Sequence, residues 1–370
     1  DASLAMFSNA YNDGAWKRIE EGHVSGIDLN SAGGTATFNM SGTAAADAAI
    51  TWTTTMKLDI NSRISLSNND GNTGNTVFGY HALTNAADSN VVLGDVGADY
   101  NTAIGHLAMG TGTTLAATNN TAIGYKALED ITTGDFNTGV GVQSLKNITD
   151  AIRNTAVGYD ALGANVSGNY NTAIGMHTLY SNLTHNNTAV GYESGLYTTG
   201  ADNTYVGKSA GKGPSAGANA NNVGIGSSAL LSVTTGSYNV AVGATSLDAL
   251  TTGGSNVAIG YLALSAAGAG ESSNVAIGES SMSLADEGSG TGNAINSNVA
   301  IGVNTLTGGN FGGTDSRTLL DNIAIGANAL NSTGTNNQTG TIAIGKDALT
   351  ALTSGAGNTA VGYRALMTNT

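Results

Sequence analysis

One five-residue phrase recurs along the chain, and no other feature constrains the fold as strongly. It reads Asn, then Thr or Val/Ile, a small residue, an aliphatic and Gly, as in NTAIG at 120–124 and NTGVG at 137–141. Anchored on its glycine it occurs seventeen times, at Gly79, Gly94, Gly105, Gly124, Gly141, Gly158, Gly175, Gly191, Gly207, Gly226, Gly243, Gly260, Gly278, Gly302, Gly326, Gly345 and Gly362. Most intervals are 16 to 19 residues, with 15 and 11 at the start and two of 24 between Gly278 and Gly326. Position −4, counted from the glycine, is Asn in sixteen copies, Asn101, Asn120, Asn137, Asn154, Asn171, Asn187, Asn203, Asn222, Asn239, Asn256, Asn274, Asn298, Asn322 and Asn358 among them; Thr341 is the exception. Position +4 is Leu or Met in fourteen copies.

A fixed period of this length predicts stacked coils, because one coil cannot bury its few aliphatics and needs its neighbours on both sides. Within the phrase the period is two, which is a strand. Alternation puts positions −3 and −1 on one side and −4 and −2 on the other. We expect the aliphatic at −1 to face the interior, the glycine to make the turn, and a second short strand to end on the Leu at +4. Seventeen coils at the ~4.8 Å strand spacing would extend about 80 Å. The Asn column predicts a side-chain amide ladder, although Asn is also a common turn former. The small residue at −2, as Ala103, Ala122, Ala156, Ala173, Ala189, Ala258 and Ala360, is then expected on the outer face, either packed against another copy of the chain or as a plain spacer.

Composition agrees with a thin, regular fold: 54 glycines, one proline, 10% charged residues and 5% aromatics leave too few large side chains for a thick core. There is no cysteine, so disulfides and thiolate metal sites are excluded. The net charge of −14, with twelve scattered basic residues, argues against nucleic-acid binding. No apolar stretch approaches the ~20 residues of a membrane span. The opening DASLAMFSN has no initiator Met and the closing VGYRALMTNT stops inside the repeat pattern, so further protein is expected on both sides. Residues 1–70 lack the repeat, carry Trp16 and Trp52, and contain alternating stretches such as TATFNM (35–40) that read as strands. The expected organisation is a small β-domain over 1–70 and the repeat array over 71–370.

The phrase continues as Tyr-x-Ala-Leu in Gly124-Tyr125-Lys126-Ala127-Leu128 and Gly362-Tyr363-Arg364-Ala365-Leu366. This wording resembles the head repeats of YadA-like trimeric adhesins and, more closely, the repeat arrays of bacteriophage tail fibres. The lead-in SNAYNDGAWKRI (8–19), followed by MKLDINSRISLSNNDGNTGNTVFG (56–79), is similar to the β segment preceding such arrays in phage fibres. The resemblance covers residues 75–366. It implies an all-β, left-handed parallel β-roll, a β-solenoid of about seventeen coils, assembled as a homotrimer and exposed on a virion. Its partners would be further copies of itself, other virion tail proteins and a host cell-surface receptor. Some related fibres carry a C-terminal self-cleaving chaperone, which these residues do not reach.

Catalytic signals are weak. Gly213-Pro214-Ser215-Ala216-Gly217 fits G-x-S-x-G but lies in a connector, without the strand and helix that the nucleophile elbow needs. His23, His81, His106, His177 and His185 show no ligand spacing, and we read them as surface residues. Asp95 with Asp99, or Asp286 with Glu287, could hold a cation between loops; no ligand pattern repeats, and we expect no metal, cofactor or catalysis. A receptor contact would fall in the two stretched connectors, 283–297 and 307–321, with Phe311 and Arg317 the most contact-prone side chains; solvated insertions are the alternative. The function read from the sequence is a structural fibre for host attachment. A bacterial trimeric adhesin head and an ice-binding solenoid are the alternatives, the latter disfavoured because Thr at −3 gives way to Val/Ile after residue 222, as an inward position would.

Overall fold

In the computed structural model the chain divides into two compact units, Asp1–Val77 and Phe78–Thr370. Residues 1–2, 9, 13–15, 19–24, 31–34, 41–52, 59–63, 66–73, 86–87, 93–97, 111–115, 215–216, 286–293, 309–317, 333–336, 353–354 and 369–370 fall outside the described residues. The first unit contains β1 (Ser3–Ser8), β2 (Ala10–Asn12), β3 (Trp16–Arg18), β4 (Ser25–Asn30), β5 (Thr35–Met40), β6 (Thr53–Leu58) and β7 (Ile64–Ser65). Its sheet runs β1-β4-β5-β6-β7 with every pairing antiparallel, and β2 pairs antiparallel with β3.

The second unit is an all-β parallel β-solenoid, with no helix among its described residues. One sheet of sixteen parallel strands, from Thr76–Phe78 to Thr359–Val361, runs its length. Each strand is three residues, positions −3 to −1 of the phrase, and the register is strict: Thr121 faces Thr138, Ala122 faces Gly139 and Ile123 faces Val140. The count falls short of the seventeen coils read from the sequence. The phrase ending at Gly94 is the odd one: its strand, Asp88–Val92, pairs antiparallel with Thr84–Asn85, and the parallel sheet passes from Thr76–Phe78 directly to Thr102–Ile104. That phrase sits in the 15- and 11-residue intervals, too short to close a coil on each side. A separate three-stranded parallel sheet, Ala294–Asn296, Thr318–Leu320 and Gln338–Thr339, forms where the connectors lengthen.

The strand faces the opposite way from the sequence reading. Ala103, Ala122, Ala156, Ala173, Ala189 and Ala258 are completely buried and Ala360 nearly so, within a single chain. The flanking −3 and −1 residues are half-buried or exposed. Alternation is as expected, with −4 and −2 on one side, but that side is the interior. The reason is width. A Cβ added at Gly139, in position −2, would stand 2.3 Å from Leu128 Cδ1, so Leu from the opposite wall already reaches the strand. From Ala103 onward every −2 residue paired with a Leu or Met at +4 is Ala or Gly, and Ile or Val there would overpack the coil.

The second wall is not a strand. Residues +1 to +4 form a run of turns in which +2 and +4 are left-handed, Lys126 at φ 58° and Leu128 at φ 50° for example. This bend aims the +4 Leu inward, and its backbone bonds to neighbouring coils: Lys126 N–H donates to His106 O at 3.0 Å and Leu128 N–H to Ser144 O at 3.0 Å. A third buried column stands at +7, with Ile131, Ile148, Val233 and Leu250.

One pair of coils shows the volume rule by exception. Tyr205 takes position −2, fully buried, and the +4 positions beside it are Gly195 and Gly211, at φ 60° and 58°. A Cβ on Gly211 would meet the Tyr205 ring at 2.3 Å, and one on Gly224, the next −2 residue, at 3.0 Å. The large residue has moved to the other wall and its neighbours have shrunk to admit it.

Candidate functional surface

The Asn column forms the expected ladder, entirely inside the coil. Asn120 N–H and Nδ2 both donate to Asn101 Oδ1, at 2.9 and 3.2 Å, and Asn137 repeats this on Asn120 at 2.8 and 3.1 Å. Each amide also donates to a connector carbonyl, Asn120 to Gly134 and Asn137 to Ala151, both at 2.8 Å. One side chain therefore satisfies two coils and a loop, which no simple turn former does. Asn298 and Asn322 continue the ladder across the 24-residue interval. It stops at Thr341, whose N–H donates to Asn322 Oδ1 at 3.0 Å but whose buried hydroxyl has no partner. Asn358, beyond the break, donates to Gly355 O at 3.3 Å.

The phrase glycines stack on one another. Gly158, at φ 136°, would carry its Cβ 2.5 Å from the carbonyl oxygen of Gly175. Both the backbone conformation and the next coil exclude a side chain there. Among the glycines named above, Gly94 lies outside the described residues.

A second ladder, not foreseen, runs at −6. There the side chain of one coil accepts the N–H of the coil before: Asp135 Oδ1 from Thr118 at 2.7 Å, Asn169 Oδ1 from Ile152 at 2.7 Å, and His185 Nδ1 from Asn169 at 2.9 Å. Its chemistry varies from coil to coil, which hid it; the common requirement is only an acceptor.

The outer face of the sixteen-stranded sheet repeats from strand to strand. Position −3 is Thr from Thr102 to Thr204 and then Val or Ile from Val223 to Ile342; position −1 is aliphatic from Ile104 to Val361. Ile123, Val157, Ile174, Ile225, Ile259 and Ile301 are each more than a third exposed. The left-handed corner at −5 is also exposed and carries Tyr100, Phe136, Arg153, Tyr170 and Tyr238, with Arg153 over the rings of Phe136 and Tyr170.

Charge is sparse. Lys212 Nζ, 2.7 Å from Glu193 Oε2, holds the Glu193 carboxyl below its ordinary value, and Asn328 Nδ2, with Lys346 and Arg364 nearby, does the same for Asp347. Burial pushes Asp248 up. His106 lies between Tyr80 and Tyr125, at 5.5 and 5.4 Å, and His177 Nε2 is 3.9 Å from Asp160 Oδ2. Among the described residues no three of His, Asp and Glu cluster to hold a metal, and no helix is long and apolar enough to cross a membrane. His23, Asp95, Ser215, Asp286, Glu287, Phe311 and Arg317 lie outside the described residues. Comparison with family models, with curated proteins and with solved structures returns no match.

Proposed function

We propose that the chain is the shaft portion of a homotrimeric surface fibre of the bacteriophage tail or side-fibre type, a structural protein that carries host-attachment elements away from a virion. The observation that supports this reading best is the outer sheet face. From Val223–Ile225 to Ile342–Ile344, seven consecutive strands of the sheet turn two aliphatic side chains each away from the coil interior. A continuous apolar strip that long calls for a partner, and the coils of this stretch repeat it in register, so a second and third copy aligned along the axis match it best. This relocates the contact inferred from the sequence: the alanines at −2 are inside the coil, and the residues that would meet across chains are those at −3 and −1. A left-handed coil, the virion location, and tail-protein and receptor partners belong to the same reading. A bacterial adhesin head would use the same face.

Sedimentation of the isolated chain tests it. The expected mass is three times the 36.6 kDa of one chain, and Val257→Lys with Ile259→Lys should give a folded monomer, because both side chains point outward. A wild-type monomer at micromolar concentration overturns the assembly.

A second reading gains from the same correction. Thr at −3 is not the inward residue that the sequence implies: Thr102, Thr121, Thr138, Thr155, Thr172, Thr188 and Thr204 stand on the outer face, in register, with an aliphatic two residues on. Thermal hysteresis by the chain, lost on Thr155→Lys, would favour it over the fibre.

A further inference from the structure

We infer that Phe136, Arg153 and Tyr170 form a binding site for an acidic saccharide, a pyranose unit bearing a carboxylate. The three residues occupy the −5 corner in consecutive coils, so the site spans two steps of the stack, ~10 Å. Arg153 Cζ lies 5.4 Å from the Phe136 ring centroid and 5.6 Å from that of Tyr170, and Nη1 donates to Tyr170 OH at 3.0 Å. The guanidinium is thereby held between two rings, with four of its five N–H donors uncommitted among the described residues. It has no carboxylate partner among the described residues, although the chain carries a net charge of −14. Asp135, in the preceding coil, accepts the Arg153 backbone N–H on its carbonyl at 3.0 Å, and its carboxylate is committed to the Thr118 N–H and Oγ1, at 2.7 and 3.0 Å.

The corner backbone does not ask for these side chains. Phe136 and Tyr170 both sit at φ 59°, where a bulky residue is strained. Asn119, Asn186 and Asn221 fill the same corner in other coils with a residue suited to it. Yet both rings remain about half exposed, 51% for Phe136 and 48% for Tyr170. Strain at an exposed position, without burial in return, points to a role at the surface. A guanidinium fork pinned in advance favours carboxylate over a diffuse anion, and flanking rings suit the C–H face of a sugar. The chain's own negative charge disfavours densely charged polymers such as nucleic acid. The choice of ligand rests on the surface-attachment reading; the geometry of the site does not.

The test is calorimetric titration of the full chain with a hyaluronan hexasaccharide, which alternates glucuronate with a neutral sugar, against chitohexaose as the uncharged control. Wild type should bind the acidic oligosaccharide and not the control. Arg153→Gln should abolish binding, and Arg153→Lys should weaken it about tenfold. Phe136→Asn and Tyr170→Asn, each suited to the left-handed corner, should weaken binding about tenfold while the melting temperature holds or rises. Absence of binding by wild type, equal affinity in the variants, or displacement by millimolar inorganic phosphate but not by glucuronate would each overturn the proposal. A trimer that ignores the oligosaccharide removes this site and leaves the fibre reading; a monomer that binds it does the reverse.

Discussion

Replacing Gly158 by Ala isolates what the glycine column does. The native φ of 136° lies in a region essentially reserved for glycine, and occupying it with Ala costs about 1–3 kcal/mol. The new Cβ would also stand 2.5 Å from Gly175 O, a backbone atom tied into the next coil, and relieving that contact costs about 1–3 kcal/mol more. Gly362, in the last coil, separates the two terms. Its φ of 131° is equivalent, but the nearest heavy atom to an added Cβ is Ala365 Cβ at 4.0 Å. Gly158→Ala should therefore lose about 2–6 kcal/mol and Gly362→Ala about 1–3 kcal/mol. Stability in a solenoid is local, so the assay is hydrogen exchange read coil by coil. Amides of Thr155–Val157 and Thr172–Ile174 should exchange at least ~30-fold faster in Gly158→Ala, with the effect fading over the adjoining coils. If the two substitutions cost the same in their own coils, contact between stacked glycines is not what excludes a side chain, and the stacking argument fails.

Thr341→Asn should raise stability by about 1–2 kcal/mol, measured by urea denaturation, because an amide there can offer its oxygen to the Asn358 N–H and remove a buried hydroxyl that lacks a partner. Tyr205→Ala should cost about 3–5 kcal/mol by emptying the widened coil, and adding Gly211→Leu should restore part of that loss, giving a coupling energy in a double-mutant cycle that Gly211→Leu alone, clashing with the ring, cannot show. Asp248→Asn should raise the melting temperature at pH 7 and change nothing near pH 3. Burial raises the folded-state pKa of Asp248 above its unfolded value, so its protonated form is the one folding favours. That contribution is complete below the unfolded value and is lost as pH rises through the folded one; a gain at pH 3 equal to that at pH 7 would refute it.

The period, the strand and the Asn ladder were all legible because each is a pattern repeated along one chain. The facing of the strand was legible too, but through a different residue from the one consulted. Aliphatic character at −1 points to the interior only where the interior is wide. The better witness was Asn at −4: a ladder whose amides satisfy several backbone groups must be shielded from water, and alternation then carries −2 inside with it. Coil width was recorded only in the exceptions. Where −2 becomes Tyr205, position +4 becomes Gly195 and Gly211, a trade in volume that makes sense only if the two positions meet across the interior. Those same glycines were the one sign that +4 is left-handed, since Leu128 and Leu162 at φ 50° and 52° defy local preference and are held there by bonds to adjacent coils. Nothing within a single repeat encodes that conformation, because the hydrogen bonds that fix it belong to the repeats on either side. The corner at −5 carries the opposite lesson: its backbone is equally constrained by the stack, but its side chains reach away from it. Phe136 and Tyr170 are therefore informative where Leu128 is not, for the stack explains the leucine completely and leaves the exposed rings without a structural reason.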